Sequence, residues 1–220
     1  MVTNRTMRAI VSQSDRSLNH REIMDQGKVL IVNLSKGRVG EDNATLLGAF
    51  LVTAIQQAAM TRADVPEVER RDFYLYIDEF QNFTTSSFAS ILSEARKYRL
   101  NLTIAHQYLE QVPADTLAAV FGNVGTMVVF QVGAKDAEIL AEQLGGQLAA
   151  HDLLQLESYH AYVRLLIEGH PSRPFSLETL PPPGQDDHQR PGNIRRYTRY
   201  RYARPADRVE LEIAQAFAAV

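Results

Sequence analysis

Two adjacent carboxylates at the end of an apolar run are the residues of this sequence best suited to catalysis. The segment FYLYIDEFQNF, residues 73–83, places aromatic and aliphatic side chains directly before Asp78 and Glu79. An aspartate in that position can hold the hydration shell of a magnesium ion, and a following glutamate can polarise a water molecule. A strand that ends in a solvated acidic turn and caps the next helix shows the same pattern. Residues 73–83 alone therefore leave both interpretations open.

A second polar group follows the next predicted strand. The segment SEARKYRLNLTIAHQ, residues 93–107, runs from a basic helix into a strand that ends at His106 and Gln107. A glutamine there can contact a γ-phosphate or its attacking water, and an arginine such as Arg96 can stabilise transition-state charge across a subunit boundary. A solvated helix face and a polar strand end explain the same residues without catalysis. We interpret His106 as a packed neighbour, because no metal-binding residues flank it at helical or turn spacing.

Both polar groups require a scaffold that brings strand ends together. Carboxyl ends of parallel strands share one edge of a sheet, which is where ligands collect. Apolar strand-like runs alternate here with helical patterns, and this predicts an α/β fold with a mostly parallel sheet flanked by helices. The predicted strands cover residues 28–34, 73–78, 100–106 and 125–132, with a strand or hairpin arm over 158–169, and the predicted helices cover 43–62, 83–98 and 134–144.

Length and composition limit the class of protein. The chain has 220 residues, 45% of them hydrophobic and 22% charged, which suits one sizeable domain with or without appendages. A net charge of -3 excludes a chain that is basic throughout, so any nucleic-acid-binding surface must be local. The absence of cysteine excludes disulfides and thiolate metal sites and agrees with a cytoplasmic setting. We see no apolar run of about 20 residues and no secretory signal, so attachment to a membrane would need another segment or partner.

Several segments, taken together and in order, resemble one family of motor proteins. They are GKVLIVNLSKGRVGEDNATLLGAFLV (27–52), FYLYIDEFQNF (73–83), ILSEARKYRLNLTIAHQYLEQV (91–112), FGNVGTMVVFQVGAKDAEIL (121–140) and SRPFSLETLPPP (172–183). The sequence resembles the type IV secretion coupling proteins of the TraD and TraG type and their HerA and FtsK relatives. The resemblance covers about residues 5–183 and implies a RecA-like P-loop NTPase core that works in conjugation as a DNA translocase.

The resemblance also implies roles for individual residues. Asp78 and Glu79 would be the Walker B pair, with Asp78 supporting Mg²⁺ indirectly and Glu79 orienting water. Gln107 would be the sensor glutamine, and Arg96 a candidate arginine finger that acts on a neighbour's ATP. The implied cofactors are ATP and Mg²⁺. The implied partners are DNA, secretion-channel or relaxosome proteins and further copies of the chain in a hexameric ring.

The sequence departs from the family at two points. No G-x-x-x-x-G-K-[ST] occurs in the chain, and in SKGRVGED, residues 35–42, the lysine precedes both glycines. Gln131 stands where relatives often have a basic residue. We therefore expect the C-terminal half of a motor domain, inactive alone, with the phosphate-loop half and any membrane anchor before Met1. The expected location is the cytoplasm, or the inner face of the cytoplasmic membrane through segments absent from this chain.

The C-terminal part differs in composition from the rest. Residues 1–178 are assigned to the motor domain, 179–193 to a Pro/Gly-rich linker, and 194–220 to an extended basic strap followed by a short helix. Arginine can pair with phosphates and tyrosine can stack on bases, so this tail is a candidate nucleic-acid-binding surface. A strap that lies on the sheet or on a neighbouring subunit is the alternative. The candidate residues are Arg195, Arg196, Arg199, Arg201, Tyr197 and Tyr200.

Two other functions compete with the motor hypothesis. The chain could be a stand-alone module that binds DNA or a secretion partner and hydrolyses nothing. The missing phosphate loop favours that module, whereas the retained Asp78, Glu79 and Gln107 argue against it. A metal-dependent phosphotransfer or receiver-like domain ranks last. It needs a further aspartate and a later lysine at strand ends, and the first predicted strand offers only Asn33 and Lys36.

Overall fold

The computed structural model describes residues 5–13, 18–84, 88–184 and 187–218. Short strands and mostly short helices alternate along the chain. The helices are α1 (Arg5–Val11), α2 (His20–Asp25), α3 (Lys36–Val39), α4 (Glu41–Met60), α5 (Phe88–Glu94), α6 (Ala114–Asn123), α7 (Ala134–Gln143), α8 (Ala150–Leu154), α9 (Arg190–Tyr202) and α10 (Ala206–Ala218). The strands are β1 (Phe73–Ile77), β2 (Leu100–Ile104), β3 (Met127–Val129), β4 (His160–Arg164), β5 (Leu166–Ile167), β6 (His170–Pro171) and β7 (Phe175–Glu178).

Strands β1 and β2 form the parallel pair that the sequence predicts. Their register pairs Phe73 with Leu100 and Ile77 with Ile104. The backbone ladder continues past the strands, because the Ala105 N–H donates to the Ile77 carbonyl at 2.9 Å. Both strands therefore end at the same edge, as parallel pairing requires.

One face of this strand pair is buried and the other is open. Phe73, Leu75 and Ile77 alternate inward along β1, as the two-residue period of a strand dictates, whereas the side chains of Tyr74 and Tyr76 point outward and are exposed. Helices α4, α5 and α6 contribute to the core on the buried side. Its fully or nearly fully buried residues include Met24, Val52, Ile55, Ile77, Phe80, Phe88, Ile91, Leu100 and Val120.

A close approach between α4 and the segment after β1 depends on a glycine. Gly48 is buried in α4, and a Cβ atom built there would lie 2.2 Å from Cδ1 of Phe83. Any larger side chain would displace the Phe83 ring. The ring packs at the end of a 3₁₀ turn, Phe80–Phe83, which follows the two carboxylates in the chain. Gly48 thus lets α4 support the backbone beside the candidate site.

A second sheet is antiparallel. Strand β4 lies between β3 and β7, and Val163 pairs with Val128 on one side and with Phe175 on the other. Helices α7 and α8 pack on this sheet through a second apolar cluster that includes Val129, Leu140 and Leu153. The α/β class is confirmed, but the expectation of a mostly parallel sheet is not, since β1 and β2 are the only parallel pair among the described strands. The connection from β4 to β7 is too short for a parallel crossover.

Some predicted elements differ from the structure. Residues 28–34 form no strand, and the side chains of Val29 and Ile31 are 88% and 84% exposed. An apolar β-branched run becomes a strand only where a neighbour supplies hydrogen bonds, and the described part of the chain supplies none there. The helix predicted over 83–98 is found as α5, Phe88–Glu94, and a 3₁₀ turn over Ala95–Tyr98, and residues 85–87 of the prediction lie outside the described part of the chain. The segment 158–169 contains β4 and one arm of the β5–β6 hairpin.

The C-terminal region is helical where we expected an extended strap. Helix α9 contains no buried residue, and it begins inside the predicted linker. Helix α10 agrees with the predicted terminal helix and contacts α1, the first described helix. Ion pairs join them, among them Arg5 with Asp207 at 2.9 Å and Arg8 with Glu210 at 2.7 Å.

One helical stretch satisfies the length and composition criterion for a membrane span. It comprises α4 and the following 3₁₀ turn, Glu41–Asp64, with a mean hydropathy of 1.4 over its most apolar window. We had expected no such segment from the apolar runs. The helix also contributes Val52, Ile55 and Ala59 to the core, and core helices of soluble proteins meet the same criterion.

Candidate active site

The carboxyl ends of β1 and β2 bring the predicted polar residues together. Asp78 and Glu79 form the turn after β1, and His106 and Gln107 follow β2. The Phe80 N–H donates to the Ala105 carbonyl at 3.0 Å, so the two chains remain paired beyond the strands. This pairing explains why residues far apart in the sequence face one another.

The backbone of Glu79 adopts an uncommon conformation. Its φ of 51° and ψ of 45° lie in the left-handed region, which non-glycine residues occupy rarely and often at functional sites. Three hydrogen bonds stabilise the turn. The Asn82 backbone N–H and side-chain Nδ2 donate to the Glu79 carbonyl at 3.0 Å and 3.1 Å, and the Glu79 N–H donates to Asp78 Oδ1 at 3.0 Å. The turn therefore redirects the chain immediately after the first carboxylate.

Two side-chain amides bind the Glu79 carboxylate. Gln107 Nε2 donates to Glu79 Oε1 at 2.6 Å, and Gln81 Nε2 donates to Glu79 Oε2 at 2.7 Å. The Gln81 amide also donates to Gln111 Oε1 at 3.0 Å. Both side-chain oxygens of Glu79 therefore accept hydrogen bonds from amide N–H groups.

His106 packs beside the site and does not bind Glu79 directly. Its ring meets the Phe80 ring edge-on, with centroids 5.2 Å apart. Burial lowers the pKa of His106, while the charges of Asp136 and Glu79 act in the opposite direction. The structure thus places His106 as the packed neighbour that we expected from the sequence.

The side chain of Asp78 is exposed beside Glu79. One of its oxygens, Oδ1, accepts the Glu79 N–H. Among the described residues no group of three or more His, Cys, Asp or Glu side chains is arranged to hold a metal. Mg²⁺ commonly takes one or two carboxylates and completes its octahedron with water and substrate phosphates. The residues present are compatible with that mode and would not form a closed protein site.

Arg96 lies away from these groups in the same chain. It belongs to the 3₁₀ turn Ala95–Tyr98, which precedes β2, so it is at the amino edge of the strand pair. The five residues of β2 separate the two edges by about 16 Å. The structure does not bring Arg96 to Glu79 within one chain, and its action on a neighbouring subunit stays a prediction.

Sequence reasoning missed Gln81 and Gln111. Gln81 lies inside the segment 73–83 that carries the carboxylates, and its position two residues after Glu79 was the available signal. Gln111 ends a 3₁₀ turn, Leu109–Gln111, which Asp136 of α7 supports by accepting the Leu109 N–H at 3.1 Å. An open groove beside this turn is lined by Tyr108, Glu110, Gln111, Gly133, Ala134, Lys135 and Asp136.

The basic residues of the tail are exposed on α9. The helix sequence RPGNIRRYTRYRY contains no aspartate or glutamate. The side chains of Tyr197 and Tyr200 are 63% and 84% exposed, and the Arg201 guanidinium lies 5.7 Å from the Tyr202 ring centroid. The predicted residues Arg195, Arg196, Arg199 and Arg201 therefore lie on one solvated helix and not along an extended strap.

Comparison with known proteins identifies the central segment. Residues 72–152 match the family described as the TraM recognition site of TraD and TraG. This segment contains β1, β2, both carboxylates and the three glutamines that surround them. No curated protein matches the chain in sequence.

Two solved structures resemble the fold at a low level. The bacterial conjugative coupling protein TrwBdeltaN70, in its unbound monoclinic form, is 16% identical with a TM-score of 0.44, and the match covers 56% of this chain and 36% of that chain. The genome packaging NTPase B204 from Sulfolobus turreted icosahedral virus 2, in complex with AMPPCP, is 13% identical with a TM-score of 0.48. That match covers 71% of this chain and 70% of the other.

The sequence match, rather than these distant structural similarities, carries the assignment. It includes residues 73–83 and 91–112, two of the segments on which the predicted resemblance rests. The resemblance is thereby confirmed, because residues 72–152 match the model of the TraM recognition site of TraD and TraG.

Proposed function

We propose that the chain is the C-terminal part of an ATP-driven, DNA-translocating motor of the conjugative coupling-protein type. The observation that carries the proposal is the contact between Gln107 and Glu79, whose side chains meet at 2.6 Å at the shared end of two parallel strands. This is the placement that a water-orienting glutamate and a phosphate-sensing glutamine need. ATP and Mg²⁺ are the proposed cofactors.

Each residue takes a role that its position permits. Asp78, exposed next to Glu79, would support the hydration shell of Mg²⁺, and the ion would neutralise charge on the phosphates. Glu79 accepts a hydrogen bond from the attacking water and orients it toward the γ-phosphate. Gln107 links the state of the γ-phosphate to Glu79, because a phosphate that attracts its amide would release one carboxylate oxygen. Arg96 acts on the nucleotide of an adjacent subunit in a ring, which we propose to be a hexamer.

The phosphate-binding loop comes from a further segment of the motor. The extended run 28–34 supports this, because apolar strand-forming residues remain unpaired and exposed there. The exposed Tyr74 and Tyr76 offer a second uncovered surface on β1. Additional strands and helices would bury both surfaces and complete the nucleotide site. Exposed strand-forming segments otherwise favour aggregation.

DNA and relaxosome or secretion-channel proteins are the proposed partners. The family description of residues 72–152 names TraM recognition, which supports a partner-binding surface on this segment. Helix α9 supplies the proposed DNA contacts, because its arginines and the side chains of Tyr197 and Tyr200 are exposed and the helix contains no acidic residue. We propose a cytoplasmic location, or the inner face of the cytoplasmic membrane through segments outside this chain.

A non-hydrolysing binding module is the second candidate function. The absence of G-x-x-x-x-G-K-[ST] from the sequence favours it. In the structure both Glu79 oxygens are occupied by amides, an arrangement that can also serve a purely structural turn. The two candidates differ in whether the site responds to nucleotide when a phosphate loop is present.

The experiment is an ATPase assay on a longer polypeptide that places a phosphate-loop segment before residue 1. We expect Glu79→Gln to retain ATP binding and to lose turnover, because the amide cannot accept the proton of the attacking water. The matched control is Glu110→Gln, which alters an exposed carboxylate 4.0 Å from Lys135. Unchanged turnover in Glu79→Gln would remove Glu79 from its role, and no nucleotide binding by the longer polypeptide would favour the binding module.

A further inference from the structure

We propose that Gln81 is a positioning residue that holds the Glu79 carboxylate in its working orientation, with Gln111 fixing the Gln81 amide. The inference rests on the proposed function of Glu79 and deepens it. It adds a second amide, independent of Gln107, and a connection from Glu79 to the turn Leu109–Gln111.

The hydrogen-bonding pattern determines the orientation of the Gln81 amide. A primary amide nitrogen has two N–H groups, and here one is directed to Glu79 Oε2 at 2.7 Å and the other to Gln111 Oε1 at 3.0 Å. The reversed amide would place its oxygen against two acceptors. Both contacts therefore favour the same orientation, and each reinforces the other.

The amide keeps this orientation although its oxygen is unsatisfied. Gln81 Oε1 is buried and has no hydrogen-bond partner among the described residues. A buried acceptor without a partner is unfavourable, so the two donor contacts must outweigh that cost. A glutamine that served only to fill space would direct its oxygen to a donor or to solvent.

The backbone of Gln81 is held firmly enough to position a side chain. It belongs to the 3₁₀ turn Phe80–Phe83, in which Phe80 is fully buried and stacks on Phe88 at a centroid distance of 5.6 Å. Phe83 at the end of the turn packs against Gly48 of α4. Gln81 lies between these two packed phenylalanines, so its backbone is held in place and its side-chain amide has a defined position, as a positioning residue requires.

Gln81 and Gln107 connect Glu79 to different parts of the molecule. Gln107 follows β2 directly, whereas Gln111 belongs to the turn that Asp136 ties to the start of α7. A displacement of α7 would move the Leu109–Gln111 turn and release the Gln81 amide. Hydrogen bonds thus connect Glu79 to α7 as well as to the segment after β2.

Nuclear magnetic resonance of the 220-residue chain tests the arrangement without nucleotide. The measured quantities are the side-chain amide ¹H–¹⁵N signals of the glutamines. We expect Gln81→Leu to shift the Gln107 signal, because the freed carboxylate rotates, and Gln111→Leu to shift the Gln81 signal. The matched control is Gln131→Leu, which removes a glutamine that donates to the Leu154 carbonyl. Signals of Gln107 and Gln81 that move no further than in the control would overturn the proposal.

Measurements of kcat and KM then distinguish a positioning role of Gln81 from a role in packing alone. In a longer polypeptide that hydrolyses ATP, Gln81→Leu is expected to lower kcat by roughly 10- to 100-fold, with KM changed by less than about twofold. Gln81→Glu has nearly the same shape but no donor, so it should lose kcat as the leucine variant does. A glutamate variant with normal kcat would assign Gln81 to packing alone. If the unsubstituted polypeptide lacks hydrolysis, the proposed function fails, while the resonance experiment still decides whether Gln81 holds Glu79.

Discussion

Replacing the buried arginine at the amino edge of the strand pair should destabilise the fold. Only 1% of Arg62 is exposed. Its guanidinium donates to the Tyr98 carbonyl at 2.9 Å and to the Arg71 carbonyl, and it pairs with Asp25 at 3.2 Å. Burial lowers the pKa of Arg62 and Asp25 opposes that effect. The side chain thus joins the segments that enter β1 and β2, at the edge opposite Glu79.

The expected cost of Arg62→Met follows from these contacts. The Tyr98 and Arg71 carbonyls, in partly buried hydrogen bonds, lose their charged donor, at about 1 to 3 kcal/mol each. The methionine recovers part of the packing of the arginine stem, roughly 1 kcal/mol. Asp25 remains paired with Arg21 at 2.5 Å, so no buried charge is left alone. We therefore expect a loss of about 3 kcal/mol in the free energy of unfolding.

Urea unfolding followed by circular dichroism measures this loss. The matched control is Arg99→Met, because Arg99 is partly exposed and lies 3.8 Å from Asp72, and such surface pairs contribute less than about 1 kcal/mol. Arg62→Lys should fall between the two, since an ammonium cannot reproduce the planar fork that spans two carbonyls. If Arg62→Met and Arg99→Met unfold within about 0.5 kcal/mol of each other, the contacts of Arg62 do not hold the strand pair together.

Two further predictions concern pH and DNA. Burial lowers the pKa of His106 below its ordinary value of 6.5, so the folded state favours the neutral ring and the unfolded state takes up the proton first. The stability that His106 contributes is complete above pH 6.5 and is lost as the pH falls toward the pKa of the folded state. The free energy of unfolding should therefore differ less between about pH 7.5 and pH 5.5 in His106→Gln than in the unsubstituted chain. A variant that keeps the full pH dependence would assign it to other groups. For α9, the double variant Arg195→Gln/Arg199→Gln should bind DNA with a weaker dependence on salt. Fluorescence anisotropy should show the magnitude of the slope of log affinity against log salt concentration reduced by about 2, whatever the DNA sequence. An unchanged slope would exclude this face of α9 from DNA contact.

Much of the candidate site was predictable from the sequence because its signals are local. An apolar run followed by Asp78 and Glu79 predicts a strand end, and a second run ending at Gln107 predicts another. Parallel pairing then requires both ends to share an edge. Each of these steps needs only a few consecutive residues and one rule about sheets. The helix over 134–144 was equally predictable from the sequence, and it agrees with α7 to within a residue.

Other features depend on contacts between distant residues. The run 28–34 has the composition of a strand, yet it remains unpaired, because a strand also needs a neighbour to bond with. The β3–β4–β7 sheet is antiparallel, although the alternation of strands and helices predicted a mostly parallel one. Pairing direction follows from the length of the connections and from packing, and neither is visible in a single run of residues.

The sequence by itself determined the chemical groups at the site, the strands that carry them and the edge at which they meet. Only the tertiary structure decided how Glu79 is held, because its left-handed turn and the amides of Gln81 and Gln111 come together through packing. Gln111 is far from Glu79 along the chain, and the contact between them through Gln81 exists only after the turns that follow β1 and β2 are placed side by side. Long-range contacts of this kind follow from the fold as a whole, since each depends on several elements packing at once.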